Sequence, residues 1–487
     1  METSAGRRKV YRAFKLNTLR AAELALFVKK NKYMGKVKKN NKNGAPVQME
    51  QFGLQHPRSA GIDIGSMLMV VSYTDRNNNN RIAEFNSFTD SLHELAALLA
   101  SEKLEVVTME ATGPYWKVLF SILEQNGMKI VLVNPSHYRN VSARKTDIND
   151  AQWLHQLLAH GMLRDSHIAP ELYRELRSYL HEREVLQQQK SDTLNRIQKV
   201  LTLMNIKFQH LISDIEGVAG MLLLRAISTG IREPEALLKL IDYNRLKASP
   251  EDLLSSLKGD YQNYYTNILS QNLESYDFAK AQMAVYETYI QGTLQKLLPE
   301  EKQATLRAAQ KKGMVRKNQY HFNLKGYLEA IFGVDLTEVD GLDEIGLLTI
   351  LAVTGNDMSK WPTAGHFASW LNLAPRPKVS GGRVIGYEKR ITNNPATQAF
   401  RLAANSLWQN KGPLGQQYKK LASTKGSAKA IKAIARKIAV IFYNMVLKQE
   451  AYDAGKVQQD VELQTAKKLA HLQKAAAKLG LILQKVA

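Results

Sequence analysis

Gly61-Ile62-Asp63-Ile64-Gly65-Ser66 sets a carboxylate inside an apolar, β-branched run that reads as a strand. A charge between two isoleucines on a buried strand is expensive unless a cation or hydrogen bonds compensate it. An aspartate that merely turns the chain at a strand end is the alternative. Outward from this point, residues 60–72 are apolar and β-rich, 76–80 are a polar turn, and 82–88 form a further strand. Asp90 caps a helix running to Leu99, and 104–110 is a strand. A helix over 115–125 stops at Asn126-Gly127, a short buried strand spans 129–134 before Pro135, and another helix starts near Asp147. Strand, hairpin, helix, strand, helix, strand, helix implies a mixed sheet with helices on its faces.

Three more carboxylates join Asp63. Glu110 ends the fourth strand in Thr108-Met109-Glu110-Ala111-Thr112-Gly113, and Asp147 and Asp150 stand three apart in Lys145-Thr146-Asp147-Ile148-Asn149-Asp150-Ala151. That spacing puts both on one face of a starting helix, although an aspartate there is also a good N-cap. In a sheet of this kind strands one and four are neighbours, so all four carboxylates converge at one end. Oxygen-only clusters bind Mg²⁺, and magnesium pairs activate phosphodiester chemistry.

Farther along, 171–208 reads as one long helix with an imperfect apolar stripe, Arg174, Arg177, Arg183, Arg196 and Lys199 on its other sides. Residues 209–330 read as helical, polar and tyrosine-rich, without a chemical motif, and a compact domain runs from Thr337 to about Gln449. Glu338-Val339-Asp340-Gly341-Leu342-Asp343-Glu344-Ile345-Gly346 reads as a helix-hairpin-helix whose glycines would let backbone N–H groups approach a phosphate, or as an ordinary helical hairpin. In Lys378-Val379-Ser380-Gly381-Gly382-Arg383 a serine precedes two glycines in a loop flanked by cations. The glycines permit close backbone approach and Lys378 and Arg383 suit a phosphate, but Ser-Gly-Gly equally describes a flexible surface turn.

Composition narrows the partners. The 487 residues are 44% apolar, carry a formal net charge of +22 and contain no cysteine, with a pI of about 9.7. Two or three domains fit that length, and disulfides, thiolate zinc sites and cysteine nucleophiles are excluded. A phosphate polyanion is the partner such a charge suits. The charge is clustered: one block lies between Arg7 and Lys42, and residues 389–448 contain no Asp or Glu at all. The nucleic-acid contacts expected are Arg144 and Lys145 ahead of Asp147, Lys378 and Arg383 beside Ser380, and Lys389, Arg390, Arg401, Lys411, Lys419 and Lys420 in the acid-free block. No apolar run approaches the ~20 residues of a membrane span, and no secretory h-region is expected. A soluble, cytoplasmic, nucleoid-associated protein follows as the expectation.

The Asp63 strand, Met109-Glu110-Ala111-Thr112-Gly113 with Tyr115-Trp116, Val133-Asn134-Pro135 and the Asp147–Asp150 segment together resemble the RNase H-like (RuvC-like) domain of the DEDD transposases of bacterial insertion sequences, the family numbered 110 with its 1111 branch. Gly341, Gly346, Gly355, Trp361-Pro362, Leu373-Ala374-Pro375, Ser380-Gly381 and Ala403-Ala404 follow that family's C-terminal transposase domain in order. The resemblance implies a recombinase that cuts and rejoins DNA, with Asp63, Glu110, Asp147 and Asp150 as catalytic Mg²⁺ ligands and Ser380 as the nucleophile. It also implies donor and target DNA and a structured bridge RNA as partners. Carboxylate and serine domains from different subunits would share one site, so a homo-oligomer, dimer or tetramer, follows. The implied architecture is a basic extension over 1–58, an α/β RNase H-like catalytic domain over 59–165, a helical coiled-coil region over 166–330, a mainly α-helical transposase domain over 331–450, and a C-terminal helix over 451–487. Departures from the family pattern are the extension, residues 209–330, Asn393-Asn394 in place of a Gly-Asn, and an arginine replaced near Thr397-Gln398, for which Arg401 is the nearest substitute.

Three other readings compete. A hydrolytic junction nuclease would use the same carboxylates without a covalent intermediate. An ATP-dependent kinase of the actin class shares an Ile-Asp-Ile-Gly-like strand but needs a further glycine-rich phosphate loop, which is missing here. A non-enzymatic nucleic-acid-binding protein accounts for the charge and leaves the carboxylates unexplained.

Overall fold

Short β-branched runs broken by Gly65 and by an asparagine-rich turn open the computed structural model, which describes residues 53–111, 113–134, 147–308, 319–388, 394–478 and 480. Residues 1–52 of the expected basic extension lie outside these. Contacts divide the chain into two units, Met1–His167 and Ile168–Ala487. In the first, β1 (Ser59–Ile64), β2 (Leu68–Thr74) and β3 (Asn80–Asn86) form an antiparallel meander. The single β-rich stretch expected over 60–72 is therefore two strands, because the Gly65 N–H bonds the Leu68 carbonyl at 2.9 Å and reverses the chain. At the next turn Asp75 accepts from the Asn77 and Asn79 amides and from Arg81 Nε at 2.9 Å. The Asn79 bond first, then the Arg81 bond, hold its carboxyl below the ordinary aspartate value.

Helix α1 (Thr89–Ser101), β4 (Val106–Glu110), α2 (Trp116–Gln125), β5 (Lys129–Val133) and α3 (Asp147–Ala159) complete the unit. Phe88, not Asp90, occupies the cap of α1, and Asp90 sits in its first turn, where a carboxylate suits the helix dipole. Strand order is β3-β2-β1-β4-β5, with β1, β4 and β5 parallel. This is the mixed sheet of an RNase H-like domain. The outer edge of β5 is closed by the segment after α3, where Ser166 N–H donates to Leu132 O at 2.8 Å and Asp165 Oδ1 accepts from Leu132 N–H at 3.1 Å.

The second unit is helical and built on α4 (Glu171–Leu203), which stops short of the expected 208 because Asn205 takes the left-handed conformation at φ 57°. After the short helices α5 (Val218–Ser228), α6 (Pro234–Leu238) and α7 (Pro250–Ser256), α8 (Asn263–Lys296) runs back antiparallel to α4. Two cores form on this pair. Near the end of α4 and the start of α8, Ile197, Leu201, Leu269 and Leu273 bury with Leu223, Leu224 and Leu253 of the short helices. At the opposite end Leu176 and Leu294 join a larger core. Between the two, Arg183 turns inward instead of lying on the outer side expected for it. Its Nε and Nη2 donate to Glu287 Oε1 at 2.9 and 2.7 Å, and its guanidinium lies 4.2 Å from the Tyr320 ring centroid.

The larger core gathers α10 (Leu324–Phe332), α11 (Glu344–Thr354), α12 (Ala364–Trp370), α13 (Pro395–Ser406), α14 (Pro413–Lys425) and α15 (Ser427–Lys448), after the short α9 (Glu300–Ala308). Phe367, Phe400 and Phe442 meet at its centre, with Phe400 and Phe442 ring centroids 5.5 Å apart. A final helix, α16, spans Ala454–Lys478. Among the described residues no helix is long and apolar enough to cross a membrane.

Candidate active site

Parallel pairing of β1 with β4 matches Ile62 to Met109, so the next residue on each strand, Asp63 and Glu110, falls at the same end of neighbouring strands. Both are half-buried. Helix α3 lies on the face of β1 that Gly61 presents: a Cβ there would stand 2.5 Å from the Ala151 carbonyl oxygen and strike the His155 amide nitrogen. Successive even and odd residues of a strand point to opposite faces, so Asp63 shares that face with Gly61. The far end of α3 meets the segment before β1, where Gln55 and His56 N–H groups donate to Ala159 O at 2.8 and 3.0 Å. Helix α3 thus runs antiparallel to β1, and its first turn, with Asp147 and half-buried Asp150, faces the Asp63 end of the sheet.

His155 fixes that crossing. It is buried, and its ring nitrogens meet Ser72 Oγ at 3.1 Å and Thr74 Oγ1 at 3.2 Å. Burial pushes its pKa down to about 4, against an opposing backbone hydrogen bond at Ser59, so the ring is neutral at physiological pH. The sequence reading missed Gly61 and His155. A glycine in a β-branched strand and a histidine on the apolar side of a helix were the available signals. The Asp147 side chain, Arg144 and Lys145 lie outside the described residues. Among those described, no three His, Asp or Glu side chains cluster closely enough to hold a metal ion. Asp63 and Glu110, at neighbouring strand ends, and Asp150 in the first turn of α3 carry carboxylate oxygens, the donor type that suits a hard divalent cation.

In the second unit the expected loop around Ser380 is a β-hairpin, β6 (Pro377–Ser380) against β7 (Arg383–Tyr387). Gly381 and Gly382, at φ 53° and 76°, make the two-residue turn whose twist matches paired strands. Ser380 pairs with Arg383 and Val379 with Val384, and an irregularity between Lys378 and Val379 shifts the register so that Lys378 faces Gly386. Cross-strand partners share a face. Ser380, Lys378 and Arg383 therefore line one side, and Pro377, Val379, Val384 and Tyr387 the other, all of them exposed.

Other expected cations lie on α13 and α14 and in the loop between them. Arg401 is exposed on α13 and donates to Gln398 Oε1 at 3.4 Å, while the neighbouring Thr397 is buried and bonds Leu371 O. Lys411, Lys419 and Lys420 are exposed, Lys419 Nζ donating to Asn410 O at 2.9 Å. Lys389 and Arg390 fall outside the described residues. The glycines of the 338–346 segment are used internally, contrary to the phosphate-binding reading. Gly346 N–H is taken by Asp343 Oδ1 at 2.7 Å, and a Cβ on Gly341 would strike the Ala403 carbonyl.

Residues 60–206 match the DEDD transposases of the IS110 type, described as transposase, and residues 335–420 match the transposase family IS116/IS110/IS902. The chain belongs to the IS110 family of DEDD transposases. No curated protein matches it. In this transposase, residues 207–334 lie outside both matched stretches. DNA is the partner its family implies.

Proposed function

We propose that this transposase cuts and rejoins insertion-sequence DNA with Ser380 as nucleophile, assisted by Mg²⁺ held by Asp63, Glu110, Asp147 and Asp150. It acts as a homo-oligomer and under the guidance of a structured bridge RNA. The observation that carries the reading is the hairpin, which presents Ser380 on the same face as Lys378 and Arg383. Two cations beside a hydroxyl can hold a phosphodiester against it. Ser380 Oγ attacks phosphorus and loses its proton, one P–O bond to the DNA breaks, and that oxygen leaves as a DNA hydroxyl. Phosphoserine keeps the bond's energy, so a second DNA hydroxyl can attack it and release serine, and strand joining needs no ATP. Serine is a weak nucleophile unless activated. Magnesium, when bound, supplies Lewis-acid stabilisation of charge developing on the phosphate and leaving oxygen. The guide RNA rests on family resemblance, and the acid-free basic stretch over 389–448 supports a nucleic-acid surface.

Ser380→Ala and Asp150→Asn, each incubated with labelled DNA and run under denaturing conditions, test the assignment. Ser380→Ala should still bind DNA yet form no covalent adduct and no recombinants, and Asp150→Asn should lower adduct formation by at least ~10²-fold, the scale of losing electrostatic stabilisation of a transition state. Normal strand cleavage by Ser380→Ala, or an adduct mapped to another residue, would replace this reading with a hydrolytic nuclease or another nucleophile.

A further inference from the structure

A tryptophan left in water wastes a large apolar surface, and most find a packing partner. Trp116, Trp361 and Trp370 pack against other rings, whereas Trp408 is 59% exposed. It stands two residues past the end of α13. On that helix Gln398, Leu402 and Asn405 recur at steps of four and three and so share one face, with Arg401 beside them. All four are exposed.

The loop that carries the indole is held from several sides. Leu407 is buried, Asn410 N–H donates to Leu407 O at 3.1 Å, and Gly412 N–H donates to Asn410 Oδ1 at 2.6 Å. A Cβ on Gly415 would strike the Asn410 carbonyl, so α14 sits close against the loop. From α14, Gln416 Nε2 donates to Lys411 O at 3.2 Å. Lys419 reaches across as well, its Nζ 2.9 Å from Asn410 O, which sets an ammonium beside the loop two residues on from the indole. Lys411 is exposed one residue farther along. An acid that does touch this loop, half-buried Asp340, is engaged by Asn410 Nδ2 at 3.1 Å. The chain from 389 to 448 contributes no Asp or Glu.

An exposed ring set among cations suits a partner that carries both π faces and negative charge. A second copy of this chain fits poorly, since Arg401, Lys411 and Lys419 would meet a molecule of net charge +22. A nucleic acid meets both requirements. In a duplex the faces of each base are covered by its neighbours, so the ring open to an indole is that of an unpaired base. Stacking of such bases on aromatic side chains, with cations along the backbone, is how single strands are held. We propose that Trp408 is a stacking platform for one unpaired base of a bound strand, with Lys411 and Lys419 on the phosphates that flank it. The proposal rests on the nucleic-acid reading above and adds to it the state of the strand at this surface, opened and not duplex.

The test measures binding of labelled single-stranded DNA, single-stranded RNA and a duplex of the same sequence to the full, nuclease-treated chain across a salt series. Trp408→Leu should weaken single-strand binding at least ~5-fold, the lower end of what one stacked base contributes. Duplex affinity should stay within about twofold, and the salt slope should not change, because no cation is lost. Trp408→Phe, which keeps a ring, should recover most of the affinity. Lys411→Gln should weaken strand and duplex alike and lower the single-strand slope by about 0.7. The unfolding midpoint of Trp408→Leu should be unchanged, since the indole faces solvent. A larger loss with RNA assigns the base to a bound RNA, and a larger loss with DNA assigns it to an opened DNA strand. Equal losses on strand and duplex, no recovery with Trp408→Phe, or a flatter slope in Trp408→Leu would overturn the proposal and leave the basic surface standing. Altered sedimentation of nucleic-acid-free Trp408→Leu would overturn it in favour of a second copy. Binding of no nucleic acid by the unaltered chain would overturn the nucleic-acid reading with it.

Discussion

His155 is one side chain holding a helix to a sheet, and its protonation state is part of that hold. Its pKa in the fold is about 4, against the ordinary 6.5. Between those values the unfolded chain binds a proton that the native chain refuses, so stability falls as pH drops from about 6.5 to about 4 and is constant above that window. The gap of about 2.5 units sets an upper bound of roughly 3.4 kcal/mol at 1.36 kcal/mol per unit. The imidazole C–H resonance of His155 should keep its neutral position down to about pH 5, and urea unfolding of His155→Gln should lose the part of the pH dependence that lies in this window. A resonance titrating near 6.5 would show the ring to be solvated. The strand positions of Asp63 and Glu110 were legible, because a carboxylate inside an apolar run is conspicuous. Arg183 was not: a helical arginine reads as surface, and only the opposing Glu287 and Tyr320, contributed by distant parts of the chain, make its burial affordable.

At the scale of the element, the Ser380 hairpin shows how much a turn decides. Added side chains at Gly381 and Gly382 would meet nothing within 4 Å, so the two glycines are needed for conformation alone, both having positive φ. Asn accepts that region and a β-branched residue does not, at ~1–2 kcal/mol per residue. Gly381→Asn should therefore form the phosphoserine adduct at close to the normal rate, and Gly382→Val should lose roughly tenfold without shifting the unfolding midpoint of the helical core. Equal rates for the two variants would mean that the turn does not position Ser380. The sequence offered Ser-Gly-Gly as loop or linker. Its strands are short and exposed, so hydrophobic alternation gave little sign of them, and the pairing of 377–380 with 383–387 emerged only in the fold.

For the whole molecule the governing quantity is charge. A net +22, with Arg401, Lys411, Lys419 and Lys420 exposed on the second unit, predicts binding whose affinity falls steeply with salt. Six phosphate contacts would lose on the order of 10³ in affinity between 50 and 200 mM salt. Fluorescence anisotropy with duplex DNA checks the slope, and RNA sequenced from the purified protein checks the guide. A flat salt dependence would remove the basic surface from the function, and a random sample of cellular RNA would remove the guide.

Element order in the first unit, the strand positions of Asp63 and Glu110, and the helix beginning at Asp147 were determined by the sequence, since hydrophobic period and turn residues act over a few neighbours. The neighbouring of β1 and β4 was expected from the element order and is found, whereas tertiary structure alone decided that α3 crosses β1 antiparallel over a glycine and that α4 and α8 carry two separate cores. Those outcomes depend on which apolar surfaces find each other across long stretches of chain, and no local pattern encodes the partner.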